Sequence, residues 1–264
     1  MDDFATLKRY IEQTLKIQCS SYKEDYIKRR LLSRMRSTNT EDYGAYLKYL
    51  KANVPELELL RNALTINVTE FFRDAEVYDA IRREVLPDLF HQRKRLRIWS
   101  AGCSTGEEPY SLAMILHEMM AVNKNLSVQL LATDIDKVVL AKAKEGIFSP
   151  KAMIKLTDTQ IHRHFTKLPD GNFEAKPHLQ ELISFRPNDL MTGIPVSRFL
   201  DLIICRNVTI YFNEKQKDAL AQMFHGALVS GGYYIMGKTE YLGRSVDTLF
   251  VAKNTGQKIF TKKD

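Results

Sequence analysis

The stretch IWSAGCSTGEEP at 98–109 constrains the fold more than any other part of the chain. The apolar run LRIWSA leading into it reads as a buried strand. That run breaks into Gly102-Cys103-Ser104-Thr105-Gly106, followed by Glu107, Glu108 and Pro109. Tyr110, Leu112, Ala113, Ile115 and Leu116 then recur at helical spacing. A strand, a glycine turn and a helix in this order open a nucleotide-binding α/β domain. Glycine lets the turn close tightly and lets a ligand approach the backbone, which makes Gly102 a candidate cofactor contact. The helix start offers unpaired N–H groups suited to an anionic part of that ligand.

The spacing is Gly-x-x-x-Gly, not the Gly-x-Gly-x-x-Gly of a pyrophosphate-binding dinucleotide fold, which disfavours a nicotinamide oxidoreductase. A second strand, SVQLLAT, runs over 127–133 and closes in Asp134-Ile135-Asp136. A carboxylate at that strand end is where such folds bind ribose hydroxyls. The two strand ends together point to an adenosine-type ligand.

The chain has 264 residues, enough for one large domain or two unequal ones. No run approaches the roughly 18 apolar residues of a membrane span. The opening MDDFATLKRYIEQ is acidic and then amphipathic, unlike a secretory signal. Cys19, Cys103 and Cys205 are odd in number, far apart and form no CxxC, which argues for a reducing compartment. The six histidines have no metal-ligand spacing, and His162 and His164 lie too close to share a helix face, so no metal is expected. These features predict a cytoplasmic protein without membrane insertion. The net charge of +7 admits three readings: nucleic acid, an acidic protein surface, or a plain basic surface.

Residues 1–65 read as an all-helical domain of four short helices. Their apolar faces are Phe4/Leu7/Ile11/Leu15, Tyr26 or Ile27 with Leu31 and Met35, Tyr43/Tyr46/Leu47/Leu50, and Leu57/Leu60/Leu64. Thr40 is the expected cap of the third helix, and Pro55 opens the fourth. The second helix carries Lys23, Lys28, Arg29, Arg30, Arg34 and Arg36 against Glu24 and Asp25. It is either a solvated face or a docking surface for an acidic partner. A connector at 66–75 holds the polar Asn67, Thr69 and Arg73 beside Phe71 and Phe72. Either it forms one wall of a pocket, or Thr69 caps a helix and Arg73 faces solvent.

Beyond the connector, a helix over 75–86 leads through Pro87 and the basic patch HQRKRLR to the first strand, and 76–264 reads as the α/β domain. Residues 149–185 are irregular and read as an insertion. Further strands are expected at 182–186, 199–205 and 233–236. A helix over 215–229 should stop at Gly231-Gly232, and a terminal hairpin should turn at 254–256. Strands alternating with helices and ending in a hairpin predict a mostly parallel sheet with an antiparallel C-terminal edge.

Four stretches, TINVTEFFRD at 65–74, IWSAGCSTGEEPYSLA at 98–113, ATDID at 132–136 and CRNVTIYF at 205–212, closely resemble the CheR family. These are S-adenosylmethionine-dependent methyltransferases that esterify glutamates on bacterial chemoreceptors in chemotaxis signalling. The resemblance implies an all-α N-terminal domain, then a Rossmann-like class I methyltransferase domain with a small inserted β-subdomain. It implies S-adenosylmethionine as donor and S-adenosylhomocysteine as product. Carried over by motif, Asn67, Thr69 and Arg73 line the cofactor and methyl-transfer site. Glu108, Asp134, Asp189, Leu190, Cys205, Arg206 and Asn207 contact the cofactor. The family often has Asn where this chain has Asp189. Arg73 and Tyr211 form the pair near the transferred methyl, although Tyr211 read alone is equally a core aromatic beside Phe212.

Some family members grip a receptor pentapeptide with a glycine-rich β-subdomain loop. Here KLPDGNFEAK at 167–176 is short and has only Gly171, which predicts pentapeptide independence. Recognition then falls to Lys28, Arg29, Arg30, Arg34 and Arg36, whose charge suits acidic receptor methylation helices. Two rivals are disfavoured. An amino-methylating nucleic-acid enzyme needs an Asn/Asp-Pro-Pro-aromatic platform where this chain has CRNV. A non-catalytic adaptor has no need of the cofactor residues retained here. The sequence gives no reason to expect an oligomer.

Overall fold

The computed structural model describes residues 3–65 and 68–263. By internal packing the chain divides into two units, Met1–Asn67 with Tyr211–Gln216, and Val68–Ile210 with Lys217–Asp264.

The first unit contains helices α1 (Asp3–Leu15), α2 (Glu24–Ser37), α3 (Tyr43–Ala52) and α4 (Val54–Leu64). The apolar faces read from the sequence form its core. Phe4, Leu7, Ile11 and Leu15 are buried with Tyr26, Ile27, Leu31, Met35, Tyr46, Leu50, Leu60 and Leu64. Asp42, not Thr40, caps α3, accepting a bond from Ala45 N at 2.7 Å. Thr40 instead turns its hydroxyl back towards the end of α2.

One residue of the basic helix has a different task from the one expected. Arg34 forks onto Glu56 of α4 at 2.9 and 2.6 Å, and the Tyr46 hydroxyl adds a bond to the same carboxylate at 2.8 Å. Glu56 is only 4% exposed, so this pair belongs to the interior and Arg34 is not a docking residue. Burial and the Glu56 carboxylate push the Tyr46 phenol up, so it remains a donor. Lys28 pairs with Glu24 at 2.6 Å, Arg30 lies over the Tyr26 ring, and Arg29 and Arg36 are exposed.

Residues 211–216 group with this helical unit, whereas the sequence placed them in the α/β domain. Lys23 N donates to Tyr211 O at 3.0 Å and Asn213 N to Ser21 O at 3.1 Å. Tyr22 and Phe212 form an antiparallel bridge, and the Tyr211 ring lies 4.8 Å from that of Tyr26. The apolar side chains of this segment find their partners among helical aromatics that are distant in sequence.

The second unit begins with α5 (Ala75–Ala80), a π-turn (Ile81–Val85) and α6 (Leu86–Gln92). Pro87 therefore does not end the helix. The wider π-turn accommodates a ring that would clash with the preceding turn of an α-helix. There follow β1 (Arg95–Ala101), α7 (Glu107–Val122), β2 (Ser127–Asp134), α8 (Lys137–Glu145), β3 (Ile147–Phe148) and α9 (Asp158–His164). Next come β4 (Phe165–Lys167), β5 (Phe173–Ala175), α10 (Pro177–Gln180), β6 (Ile183–Pro187) and β7 (Leu200–Cys205). The chain ends with α11 (Glu214–Ala227), β8 (Leu228–Met236), β9 (Phe250–Asn254) and β10 (Ile259–Lys262).

The main sheet has the order β6-β2-β1-β7-β8-β10-β9. Its first five strands pair in parallel, and β10 runs antiparallel to both β8 and β9. This is the expected parallel sheet with an antiparallel C-terminal edge. A second sheet, β3-β5-β4, takes two strands from the 149–185 segment read as an insertion and its third, β3, from just before it. The glycine pair 231–232 does not stop a helix but lies inside β8, where its pairing with β7 shifts register. A Cβ on Gly232 would meet Val229 O at 2.9 Å and Leu200 O at 3.1 Å, so only glycine fits the bulge. The three cysteines are free and buried. Among the described residues no helix is long and apolar enough to cross a membrane.

The Arg34–Glu56 pair generates a stability prediction. Glu56→Ala should lower unfolding stability by about 3–5 kcal/mol, because it strands a half-buried guanidinium and a buried phenol. Arg36→Ala should change it by less than about 0.5 kcal/mol. Urea unfolding of both variants measures the difference, and equal effects would refute the assignment.

Candidate active site

In an open parallel sheet, ligands bind outside the carboxyl ends of the strands where the order reverses. Here the chain runs outward from β1 through β2 to β6, then crosses back to β7 on the other side of β1. The reversal falls between β1 and β7, and the turns after β6, β2, β1 and β7 meet along one edge.

The turn after β1 is fastened to the end of β2. Gly102 N and Cys103 N both donate to Thr133 O, at 2.8 and 2.9 Å, and Ser104 N donates to Asp134 Oδ2 at 2.9 Å. Gly102 and Gly106 have φ of +80° and +100°, and Ser104 is also left-handed at +49°. A Cβ on Gly102 would come within 2.5 Å of Val208 Cγ2, so glycine is needed both for the turn and for the approach of the loop after β7. Asp134 Oδ1 accepts from Asp136 N at 3.0 Å. Each carboxylate oxygen thus spends one lone pair on the backbone and keeps capacity for ligand hydroxyls.

The start of α7 differs from the expectation of a site for anions. Its first turn carries Glu107 and Glu108, both buried. Glu108 accepts from Ser100 Oγ at 2.8 Å and lies 3.7 Å from Arg206 Nη1. Burial pushes the Glu108 carboxyl up to about 7, although Arg206 opposes the shift, and burial also raises Glu107 and Asp134. Three desolvated carboxyls, two in the first turn of α7 and one at the end of β2, disfavour a pyrophosphate and favour a ligand that brings positive charge.

The connector is held in a strained form. Phe72 and Asp74 have φ of +48° and +56°, a region bulky residues rarely enter, and they flank Arg73. Phe72 N donates to Ser111 Oγ at 2.9 Å, and Arg206 Nη2 donates to Arg73 O at 2.9 Å and Asp74 Oδ2 at 2.5 Å. Phe71 is buried in the core of the α/β unit. Arg73 itself donates to Val68 O at 3.0 Å. Thr69 is half-buried on irregular backbone and caps no helix. Asn67 lies outside the described residues. Arg206 is therefore a clamp on the connector. Cys205 is wholly buried. Tyr211 belongs to the helical unit described above.

At the end of β6, Asp189 Oδ1 accepts from Met191 N at 2.9 Å and so caps its own turn, with Leu190 buried behind it. After β7, Asn207 is left-handed at φ +61°. Its loop is organised by a residue the sequence did not reveal. Glu240, 2% exposed, accepts from Asn207 N at 2.8 Å, Thr209 N at 2.6 Å, Thr209 Oγ1 at 2.7 Å and Gly237 N at 2.6 Å. Its partners lie up to 33 positions earlier in the chain, and no local pattern marks it.

Ser104 Oγ, Asn188 Oδ1, Asn207 Oδ1 and Arg206 Nε are buried without hydrogen-bond partners. They sit at the ends of β1, β6 and β7. Orphaned polar atoms along the switch edge, beside a ribose-competent carboxylate, fit a polar adenosyl ligand with a cationic portion.

Removing Glu240 leaves four donors without an acceptor. Glu240→Ala should cost roughly 3 kcal/mol or more, and Glu240→Gln, which keeps one acceptor oxygen, should cost less. Urea midpoints of the two variants give the comparison, and an unchanged midpoint for Glu240→Ala would refute the role.

Family comparison agrees with this geometry. Residues 2–65 match the family model described as CheR methyltransferase, all-alpha domain, and residues 67–258 match CheR methyltransferase, SAM binding domain. A chemotaxis protein methyltransferase of Borreliella burgdorferi is 32% identical, covering 97% of this chain and 94% of the relative. One from Listeria monocytogenes is 35% identical over 93% and 92% of the two chains, and one from Escherichia coli 34% over 90% and 83%. A match across both units, with the orphaned polar edge falling in the S-adenosylmethionine-binding part, places this chain in the CheR family of methyltransferases.

Proposed function

We propose that this protein transfers the methyl group of S-adenosylmethionine to glutamate side chains on the acidic cytoplasmic helices of chemoreceptors, forming methyl esters for chemotactic adaptation. The observation that carries the reading is the buried carboxyl set Glu107, Glu108 and Asp134 at the switch edge, which suits a ligand that is both a nucleoside and a cation. Bound S-adenosylmethionine supplies an electrophilic methyl group on a sulfonium. In this reading Asp134 holds the ribose hydroxyls, Glu108 faces the cationic portion, and Asn207 with the turn at Asp189 and Leu190 borders the nucleoside.

A glutamate acceptor is ionised at neutral pH, since its ordinary pKa is near 4.3, so the chain needs no general base for it. Opposite charges cancel as the ester forms, and a water-excluding site favours that transition state. The protein's contribution is positioning. We assign Arg73, fixed by its strained neighbours and the Arg206 clamp, and the Tyr211 hydroxyl to orienting the carboxylate or the methionyl end. Too tight an Arg73–carboxylate pair would stabilise the reactants more than the transition state. Lys28, Arg29, Arg30 and Arg36 are the proposed receptor-docking charges, and the short β4–β5 turn supports pentapeptide independence. The reading is of a cytoplasmic enzyme.

The test is methyl transfer from radiolabelled S-adenosylmethionine to a receptor cytoplasmic fragment, with and without its C-terminal tail. The expected product is a base-labile glutamate ester at a rate independent of the tail. Asp134→Ala should weaken cofactor binding about 10–100-fold. Arg73→Ala and Tyr211→Phe should slow turnover by up to about 100-fold. Label absent from the receptor, or normal turnover in the last two variants, would overturn the corresponding assignment.

Glu108 adds a pH dependence. Its carboxyl is protonated below about 7 in the free protein. A cationic ligand favours the ionised form, so binding below that pH must release a proton. Affinity should fall as pH drops through 7, by roughly tenfold per unit once Glu108 is fully protonated. Calorimetry at pH 6 and 8 in buffers of different ionisation enthalpy reads the release. None at pH 6 would refute the role.

A further inference from the structure

We infer that His117, His164 and His178 form a binding site for one divalent transition-metal ion, distinct from the methyl-transfer site. The three residues come from α7, the last position of α9, and α10. One ring nitrogen from each lies within 4.8 Å of the other two. His164 Nδ1 and His178 Nε2 are already 3.0 Å apart, close to the roughly 3.3 Å that separates two nitrogens on one tetrahedral zinc ion. The His117 ring lies 4.2 Å from that of His178, tilted by 33°.

The hydrogen bonding of the cluster is incomplete without an ion. Neutral imidazole has one N–H and one lone pair, and three rings together need more partners than they find here. His117 Nδ1 and His164 Nε2 are buried and unpartnered, and the His164 side chain is wholly inaccessible. Coordination through His164 Nδ1 turns its Nε2–H towards Glu118 Oε1, 3.8 Å away. A carboxylate behind a ligating histidine is the usual outer support of such a site. Arg82 and Arg163 hold that carboxylate at 2.8 and 3.6 Å.

The all-imidazole donor set selects zinc, nickel, cobalt or copper over calcium or magnesium. With three protein nitrogens, a fourth position stays open to water. The location implies a structural effect. His164 and His178 stand at the two ends of the β4–β5 hairpin, where Lys176 N bonds His164 O at 2.9 Å, and His117 stands on a helix of the main sheet. An ion here ties the base of the small β-sheet subdomain to α7. The sequence separations of the three histidines match no ligand motif, so only the packing of α7, α9 and α10 brings them together.

The experiment is titration of the untagged, chelator-treated full chain with Co²⁺ and Zn²⁺, followed by cobalt visible absorption and by calorimetry. One ion per chain is expected, with tetrahedral or five-coordinate cobalt bands. Affinity should fall at least about 100-fold in His178→Ala and His117→Ala and about 10–100-fold in Glu118→Gln, and stay unchanged in His162→Ala, an exposed neighbour outside the cluster. X-ray absorption at the zinc edge of the wild type should show three imidazole ligands, a readout independent of whether the variants fold. No stoichiometric binding, unchanged binding in His178→Ala, or a zinc edge without three imidazoles would each overturn the site.

Discussion

The α/β unit depends on the fastening of the turn after β1 to the end of β2. Three backbone N–H groups, of Gly102, Cys103 and Ser104, donate to Thr133 O and the Asp134 carboxylate. This is possible because β1 and β2 run parallel and in register along their length, so both end at the same edge. One residue then does two things. Asp134 holds the glycine turn through one oxygen and its own following turn through the other, and each oxygen keeps a spare lone pair. The glycine turn and the carboxylate proposed to hold the ribose are thus coupled by bonds no longer than 3.0 Å.

The other walls of the site are held from a distance. Glu240 gathers four donors from two loops, and Gly237 must lack a side chain, since a Cβ there would lie 2.6 Å from Glu240 Oε2. Arg206 reaches from the end of β7 to the connector and holds Arg73 between two left-handed residues. Strained backbone of this kind persists only where surrounding bonds over-determine it. The precision of the site is therefore a property of loops anchored by buried charge, not of the sheet alone.

Charge on the helical unit divides by burial. Arg34 faces inward and is matched by Glu56 and Tyr46, so its charge is consumed by the fold. Arg29 and Arg36 face solvent, where their charge stays available. A run of positive residues along one helix contains both kinds, and periodicity separates them only in part. Arg34 sits at the flank of the apolar face, where either outcome is open until the residue opposite is known.

What the sequence determined by itself was local. Apolar periodicity set the four helices, and the glycine turn between an apolar run and a helix set the α/β unit. The alternation of strands and helices, closed by a hairpin, set the parallel sheet and its antiparallel edge. Side-chain spacing and turn chemistry act over a few residues, so one sequence carries them, and they placed Asp134 at the end of the second strand. Tertiary structure decided whatever depended on partners remote in the chain. It made Arg34 interior, kept the helix running past Pro87, put Gly231 and Gly232 inside a strand, and assigned residues 211–216 to the helical unit. It also supplied Glu240 to its loop and gathered three scattered histidines. A buried polar group must find its partner wherever the fold delivers one, and neither the need nor the delivery leaves a mark in the neighbouring residues.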